Sequence, residues 1–106
     1  MAFNTEQTEK QMMAAMQVVL AKEWPNVQSS MRKVIEEERE ALAKISLAYI
    51  SGSITEADVK RQLEDEREAF EAGLSMTKVV STAAKQKAVN AALDVFWKAV
   101  SAALGR

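Results

Sequence analysis

Residues 51–59 read SGSITEADV and mark a sharp turn between two long helical stretches. A glycine between two serines interrupts the first stretch, because these residues favour turns over helix interiors. Thr55 is placed as the N-cap of the next helix, and Asp58, three residues later, completes a capping box. Ile54 and Val59 flank this cap as a hydrophobic staple. A turn this short predicts that the helices on either side form an antiparallel hairpin.

Hydrophobic spacing outward from this turn predicts four helices in one domain that spans residues 1–106. Apolar side chains recur every three or four residues from Val27 to Tyr49, which is the clearest amphipathic pattern in the chain. Trp24 and Pro25 together end or kink the first helix, unless Pro25 lies in the first turn of the second. The four helices are expected at about residues 5–23, 26–51, 56–72 and 76–104.

Two further signals concern the ends of the last two helices. Gly73 is expected to end the third helix as a left-handed C-cap, and the fourth is expected to begin near Ser75 or Thr77. Short loops join all four helices. The predicted fold is therefore all-α, a small antiparallel four-helix bundle with the hairpin of helices 2 and 3 at its centre.

The composition excludes several classes of function. The chain contains no cysteine and no histidine, which excludes disulfide scaffolds, zinc sites built on these residues, and thiol or imidazole catalysis. No glycine-rich phosphate loop is present, so no cofactor is expected. The polar N-terminus lacks a signal-peptide pattern, and charges interrupt every long apolar stretch. We therefore expect a cytoplasmic protein with no membrane role.

Charge is distributed unevenly within a net charge of −1, since residues 36–71 carry −6 and residues 72–106 carry +4. Acidic middle helices beside a basic last helix would explain this within one fold, whereas a basic face for an acidic partner is the alternative. The lysines of the last helix do not share one side, so nucleic acid is not an expected partner.

An internal repeat singles out two glutamates. Residues 31–42 (MRKVIEEEREAL) match residues 59–70 (VKRQLEDEREAF) at five of twelve positions. Either two amphipathic helices of similar composition converged, or a segment was duplicated. The repeat places Glu38 and Glu66 where apolar residues belong on each helix. Because a buried carboxylate is costly without a partner, these two residues form the candidate polar site.

Four explanations of these glutamates stay open at the level of sequence. Across an antiparallel hairpin Glu38 comes level with Arg67 and Glu66 with Arg39, which favours cross-helix ion pairs, or a pair with Lys87. Partial exposure at a groove or a bundle end is the second explanation. A carboxylate-bridged metal site is the third, although the known di-metal sites in such bundles also use histidine. General acid or base chemistry is the fourth, and it also requires a substrate pocket.

The last helix has more apolar surface than a helix at the edge of a small bundle requires. From Ala88 to Leu104 its polar residues form one narrow stripe. Either the other three helices cover it, or one side packs internally and the other meets a second copy or a protein partner. We expect the latter, most simply as a symmetric dimer. The predicted interface residues are Val89, Leu93, Trp97, Val100 and Leu104.

The sequence therefore favours a non-enzymatic helical interaction or assembly module that self-associates through its C-terminal helix. The alternative is a metal-binding or enzymatic bundle that uses Glu38 and Glu66. A nucleic-acid-binding adaptor is third. No residue is predicted to be catalytic.

Overall fold

The computed structural model describes residues 4–75 and 81–105, and every regular element in these two ranges is helical. The all-α class predicted from the sequence is confirmed. In chain order the elements are α1 (Thr5–Leu20), a short 3-10 turn (Ala21–Glu23), α2 (Trp24–Ile50), α3 (Glu56–Leu74) and α4 (Thr82–Ala103).

The turn before α3 has the predicted cap. The Thr55 hydroxyl oxygen accepts a hydrogen bond from the Asp58 amide at 3.2 Å, and Asp58 Oδ2 accepts one from the Thr55 amide at 3.0 Å. The Thr55 hydroxyl also donates to Asp58 Oδ2 at 3.0 Å, and the bonds from the Thr55 amide and hydroxyl favour the carboxylate and lower the pKa of the Asp58 carboxyl. Val59 is fully buried and Ile54 packs against the core. The start of α3 is therefore fixed by local chemistry.

The prediction that Gly73 ends α3 is wrong. The helix continues to Leu74, and the glycines with a positive φ in the described ranges are Gly52 and Gly105. A Cβ atom added to Gly73 would overlap Cγ2 of the buried Val34 on α2. Glycine is required here because α2 and α3 approach closely, not because the backbone turns.

The predicted start of the fourth helix needs a similar correction. Ser75 is the C-cap of α3, and its hydroxyl donates a hydrogen bond to the Ala72 carbonyl at 2.7 Å. The alternative start at Thr77 lies outside the described residues. Helix α4 begins at Thr82 with Ser81 as N-cap, whose Oγ accepts a bond from the Ala84 amide.

The connection between α1 and α2 is tight. Pro25 lies in the first turn of α2, which is one of the two placements that the sequence left open. Ala21 adopts a φ of 47° and a ψ of −111°, a conformation that side chains rarely tolerate. The backbone is strained at the point where the chain leaves α1.

The core draws side chains from all four helices, and α4 contacts each of the other three. The exposed residues of α4 from Lys87 to Lys98 are the predicted polar stripe, including Asn90 and Asp94. Most of the other positions of α4 are buried or half-buried, and Thr82, Ala83, Gln86 and Ala102 near its ends are exposed. Much of the apolar surface of this helix is thus covered within one chain. Its fully buried side chains are Ala88, Val89, Ala92, Phe96 and Val100.

Candidate functional site

Two glutamates are buried in the described part of the chain, Glu9 of α1 (6% exposed) and Glu66 of α3 (7% exposed). The sequence analysis identified Glu66 and missed Glu9. The signal for Glu9 was the same, because it precedes the buried Met12 and Met16 at helical spacing and so lies on the apolar side of α1.

Glu9 is neutralised by a cation from α2. Arg39 Nε donates to Glu9 Oε1 and Arg39 Nη2 donates to Glu9 Oε2, both at 2.8 Å. Two parallel bonds between a guanidinium and a carboxylate are a strong and geometrically specific pairing. These bonds, together with the charge of Glu9, raise the pKa of Arg39 above its already high value. The pair links α1 to α2 through two charge-assisted hydrogen bonds.

Glu66 meets another carboxyl group instead. Its side chain lies beside the half-buried Glu38 of α2, close enough for the two carboxyl groups to interact. Its Oε2 atom is buried and has no hydrogen-bond partner among the described groups. Burial, first, and then the interaction with Glu38 and the nearby charges of Glu38 and Asp65 raise the pKa of Glu66 to about 8. Glu66 is therefore neutral at pH 7.

The favoured explanation from sequence, cross-helix ion pairs for both glutamates, is wrong. Arg39 binds Glu9 on α1, and Arg67 forms its ion pair with Glu64, one turn away on α3. Both arginines belong to α2 and α3 as expected, but the sequence did not show that Glu9 would compete for one of them. Lys87 is exposed.

The chemistry available to the Glu38–Glu66 pair is proton sharing. Within residues 4–75 and 81–105, acidic residues nowhere gather in a group of three that could hold a metal ion. Two neighbouring carboxyl groups bind one proton more tightly than either would alone, because two adjacent negative charges in a partly buried site are unfavourable.

The predicted interface residues of α4 differ in their exposure. Val89 and Val100 are fully buried and Leu93 is 7% exposed, while Trp97 and Leu104 are half-buried at the edge of the core. Their partners lie in the same chain. Three of these five residues are therefore buried in the core of the single chain.

Trp97 borders a shallow groove between α3 and α4. Its ring centroid lies 5.6 Å from that of Tyr49 on α2, and Lys60 Nζ lies 5.8 Å from the Trp97 ring centroid. A cation at this distance from an aromatic ring is attracted to it. Leu63 and Leu93 lie in the same groove.

The outward side of α1 carries an uncharged stripe that the sequence analysis did not single out. Gln7, Gln11, Ala14 and Val18, which we call the α1 stripe, are all exposed and follow one another at spacings of four, three and four residues. Val18 is 80% exposed, more than any other large apolar side chain described. The spacing could have been read from the sequence, but its exposure could not.

The exposed surfaces of α2 and α3 are different. Every exposed position of α2 between residues 31 and 46, and of α3 between residues 60 and 68, carries a charge. The α1 stripe therefore differs from these two charged segments of α2 and α3. It borders a groove of about 420 Å³ between α1 and α2, whose lining includes Met13, Trp24 and Ile35.

Comparisons with known proteins give no guide to this surface, since no protein-family model, curated protein or solved structure matches the chain. No described helix combines the length and apolar character needed to cross a membrane.

Proposed function

We propose that the protein is a non-enzymatic assembly module that forms a symmetric dimer through the α1 stripe. The observation that carries this proposal is an exposed, uncharged helix face on a chain whose α2 and α3 surfaces are charged. The occupant of this face is a second copy of the same chain.

The spacing of the α1 stripe supports a helix as its occupant. Steps of four, three and four residues are the heptad spacing at which two helices pack side by side. Ala14 allows close approach of the backbones, and Val18 supplies apolar area that is 80% exposed in the single chain. Glutamine side chains at the remaining positions bond to each other across such a contact without burying charge.

A second copy fits this face because the stripe is compatible with itself. In a two-fold dimer the same patch lies on both sides of the contact, so a charge near the two-fold axis would meet its own copy. The α1 stripe contains none. The charged faces of α2 and α3 lack this property and remain in solvent.

The C-terminal helix predicted from sequence is a second candidate for self-association. Trp97 is the observation that favours it, since a half-buried tryptophan beside a groove is a frequent anchor in protein interfaces. Against it, Val89 and Val100 would reach a partner only if α4 left its neighbours.

We also propose that the four helices form an antiparallel bundle in which α2 and α3 are the central hairpin. Support comes from the short turn that joins α2 to α3 and from the contacts that α4 makes with α1 and α3. This arrangement leaves the outer side of α1 free for a second copy.

The experiment is light scattering with two matched lysine substitutions. Val18→Lys places a charge in the α1 stripe, and Leu47→Lys places one at the other strongly exposed apolar residue, which is 70% exposed on α2. We expect the unmodified chain and Leu47→Lys to have twice the 11.7 kDa chain mass at micromolar concentration, and Val18→Lys to have the mass of one chain.

Three results would contradict the proposal. The unmodified chain could have the mass of one chain, Val18→Lys could remain a dimer, or both lysine variants could dissociate equally. Trp97→Lys separates the two candidate surfaces, because dissociation by Trp97→Lys alone, with the helical signal retained, would assign the contact to α4. The metal-binding alternative at Glu38 and Glu66 predicts a thermal midpoint that falls when a chelator is added.

A further inference from the structure

The middle of the contact between α2 and α3 holds two carboxyl groups with no cation bound to either in the described residues. Glu66 is buried, its Oε2 atom has no hydrogen-bond partner among the described groups, and Glu38 lies beside it. The two arginines at this level are engaged elsewhere, Arg39 with Glu9 and Arg67 with Glu64. A buried carboxylate without a cation is strongly unfavourable, so the site must be satisfied by a proton.

The charged groups on each neighbouring helix leave this conclusion intact. On α2 the group that acts on Glu66 is Glu38, and on α3 it is Asp65; both disfavour a negative charge on Glu66. On α1 the buried Glu9 is neutralised by Arg39. On α4, Lys87 and Asp94 are both exposed. Asp94 also forms an ion pair with Lys98 at 3.0 Å.

The ends of the same contact are held independently of the proton. At one end Gly73 lies directly against Val34. At the other end the short turn and the Thr55–Asp58 capping box join the two helices. The carboxyl pair lies between these fixed points, flanked by the fully buried Phe70.

We propose that Glu38 and Glu66 form a proton-operated latch between α2 and α3. With one shared proton, the Glu66 hydroxyl donates to the Glu38 carboxylate and the two helices are held together at their middle. When Glu66 releases this proton to water, two carboxylates face each other without a cation. The middle of the α2–α3 contact then loosens and admits water, while both ends remain joined.

The direction of the pH dependence follows from the pKa of Glu66. Folding raises this pKa from the ordinary 4.5 to about 8, so the folded chain binds the proton more tightly than the unfolded chain. The stabilisation is complete below about pH 4.5 and is lost as the pH rises through about 8. The latch is closed at neutral pH and opens on the alkaline side.

Amide hydrogen exchange at pH 6 and pH 9, corrected for the intrinsic exchange rate, tests the latch. We expect the protection of amides in the middle of α2 and α3 to fall about a hundredfold between these pH values, because the linked stability changes about tenfold for each of the two pH units between pH 6 and the midpoint near 8 and little above it. Amides in the middle of α1 and α4 should keep their protection. In Glu66→Gln the amide group donates to Glu38 at any pH, so the change should disappear.

Glu68→Gln is the matched control, because Glu68 is an exposed carboxyl group on the same helix that takes part in none of the ion pairs of the described residues. It should behave like the unmodified chain. Glu38→Gln should remove only part of the change, because the burial of Glu66, the largest cause of its raised pKa, remains; this partial effect keeps the test valid if Glu66→Gln folds poorly. An equal loss of protection in Glu66→Gln, an equal loss in all four helices, or no loss at all would overturn the proposal.

Discussion

Two sides of helix α2 each face a buried glutamate, and they contact it with different groups. Toward α1 it meets a buried glutamate, Glu9, and supplies Arg39 to neutralise it. Toward α3 it meets a buried glutamate, Glu66, and supplies another carboxyl group, Glu38. The first contact pairs two opposite charges, whereas in the second contact two carboxyl groups share one proton.

This difference shows that burial alone does not fix the behaviour of a glutamate. The Glu9–Arg39 pair places opposite charges in a bidentate contact, which is a strong and specific arrangement. The Glu38–Glu66 pair is sensitive to pH, because its stable form depends on a proton that solvent can remove. One helix thus combines a fixed contact and a responsive contact.

The two sides of α2 also differ in how closely the neighbouring helix packs against them. Toward α3, glycine at position 73 allows contact with Val34 that no other residue would permit. Toward α1, a groove of about 420 Å³ remains, and the connecting backbone is strained at Ala21. The α2–α3 side is closely packed at its ends, while the α1–α2 side is open.

Gly73→Ala should have the largest effect on stability, because its added methyl group overlaps Val34 in the closely packed contact between α2 and α3. Overpacking against Val34 costs about 1–3 kcal/mol, and the better helix propensity of alanine offsets about 1 kcal/mol of that. We expect a net loss of up to about 2 kcal/mol in the free energy of unfolding, measured by urea denaturation. The loss should shrink when Val34→Ala is already present; an equal loss in both backgrounds would show that the close approach is not the cause.

Arg39→Met tests the ion pair on the α1 side and should have a smaller effect. Methionine keeps the apolar stem but leaves the Glu9 carboxylate buried without a cation, so the urea midpoint should fall. Adding Glu9→Gln should recover part of the loss. Arg67→Met is the control, since its partner Glu64 is exposed and such pairs contribute little. Equal losses for the two arginines would refute the assigned role of Glu9.

Ala21→Gly should have the smallest effect and the opposite sign. Relief of the positive φ at this position contributes about 1–2 kcal/mol, and the greater freedom of glycine in the unfolded chain opposes it by about 0.5–1 kcal/mol. The thermal midpoint should therefore rise slightly. Ala15→Gly, in the regular part of α1, should lower it. A decrease in both variants would show that the turn is not strained.

Much of the fold could be predicted because local chemistry determines it. The capping box at Thr55 and Asp58, the class of fold and the polar stripe of α4 all depend on residues close in sequence. Gly73 was misread because a glycine near a helix end usually indicates a C-cap, and only the position of Val34 on another helix shows its real cause.

The candidate site could be predicted in part. The repeat showed that Glu38 and Glu66 occupy positions where apolar residues are expected, but it did not show which groups their side chains would contact. Partner choice depends on which helix lies beside each side of α2, and the arginine that could have reached Glu66 instead binds Glu9. Self-association was expected through α4 because its apolar excess is visible in sequence, whereas how much of that surface the other helices cover is a property of the packing.

The most direct test follows the carboxyl carbon of Glu66 in an NMR titration of the intact chain. If Glu66 holds the proton that it shares with Glu38, its carboxyl signal should change with a midpoint near pH 8. A midpoint near the ordinary value of 4.5 would mean that Glu66 is ionised at neutral pH, and the distinction drawn between the two sides of α2 would fail.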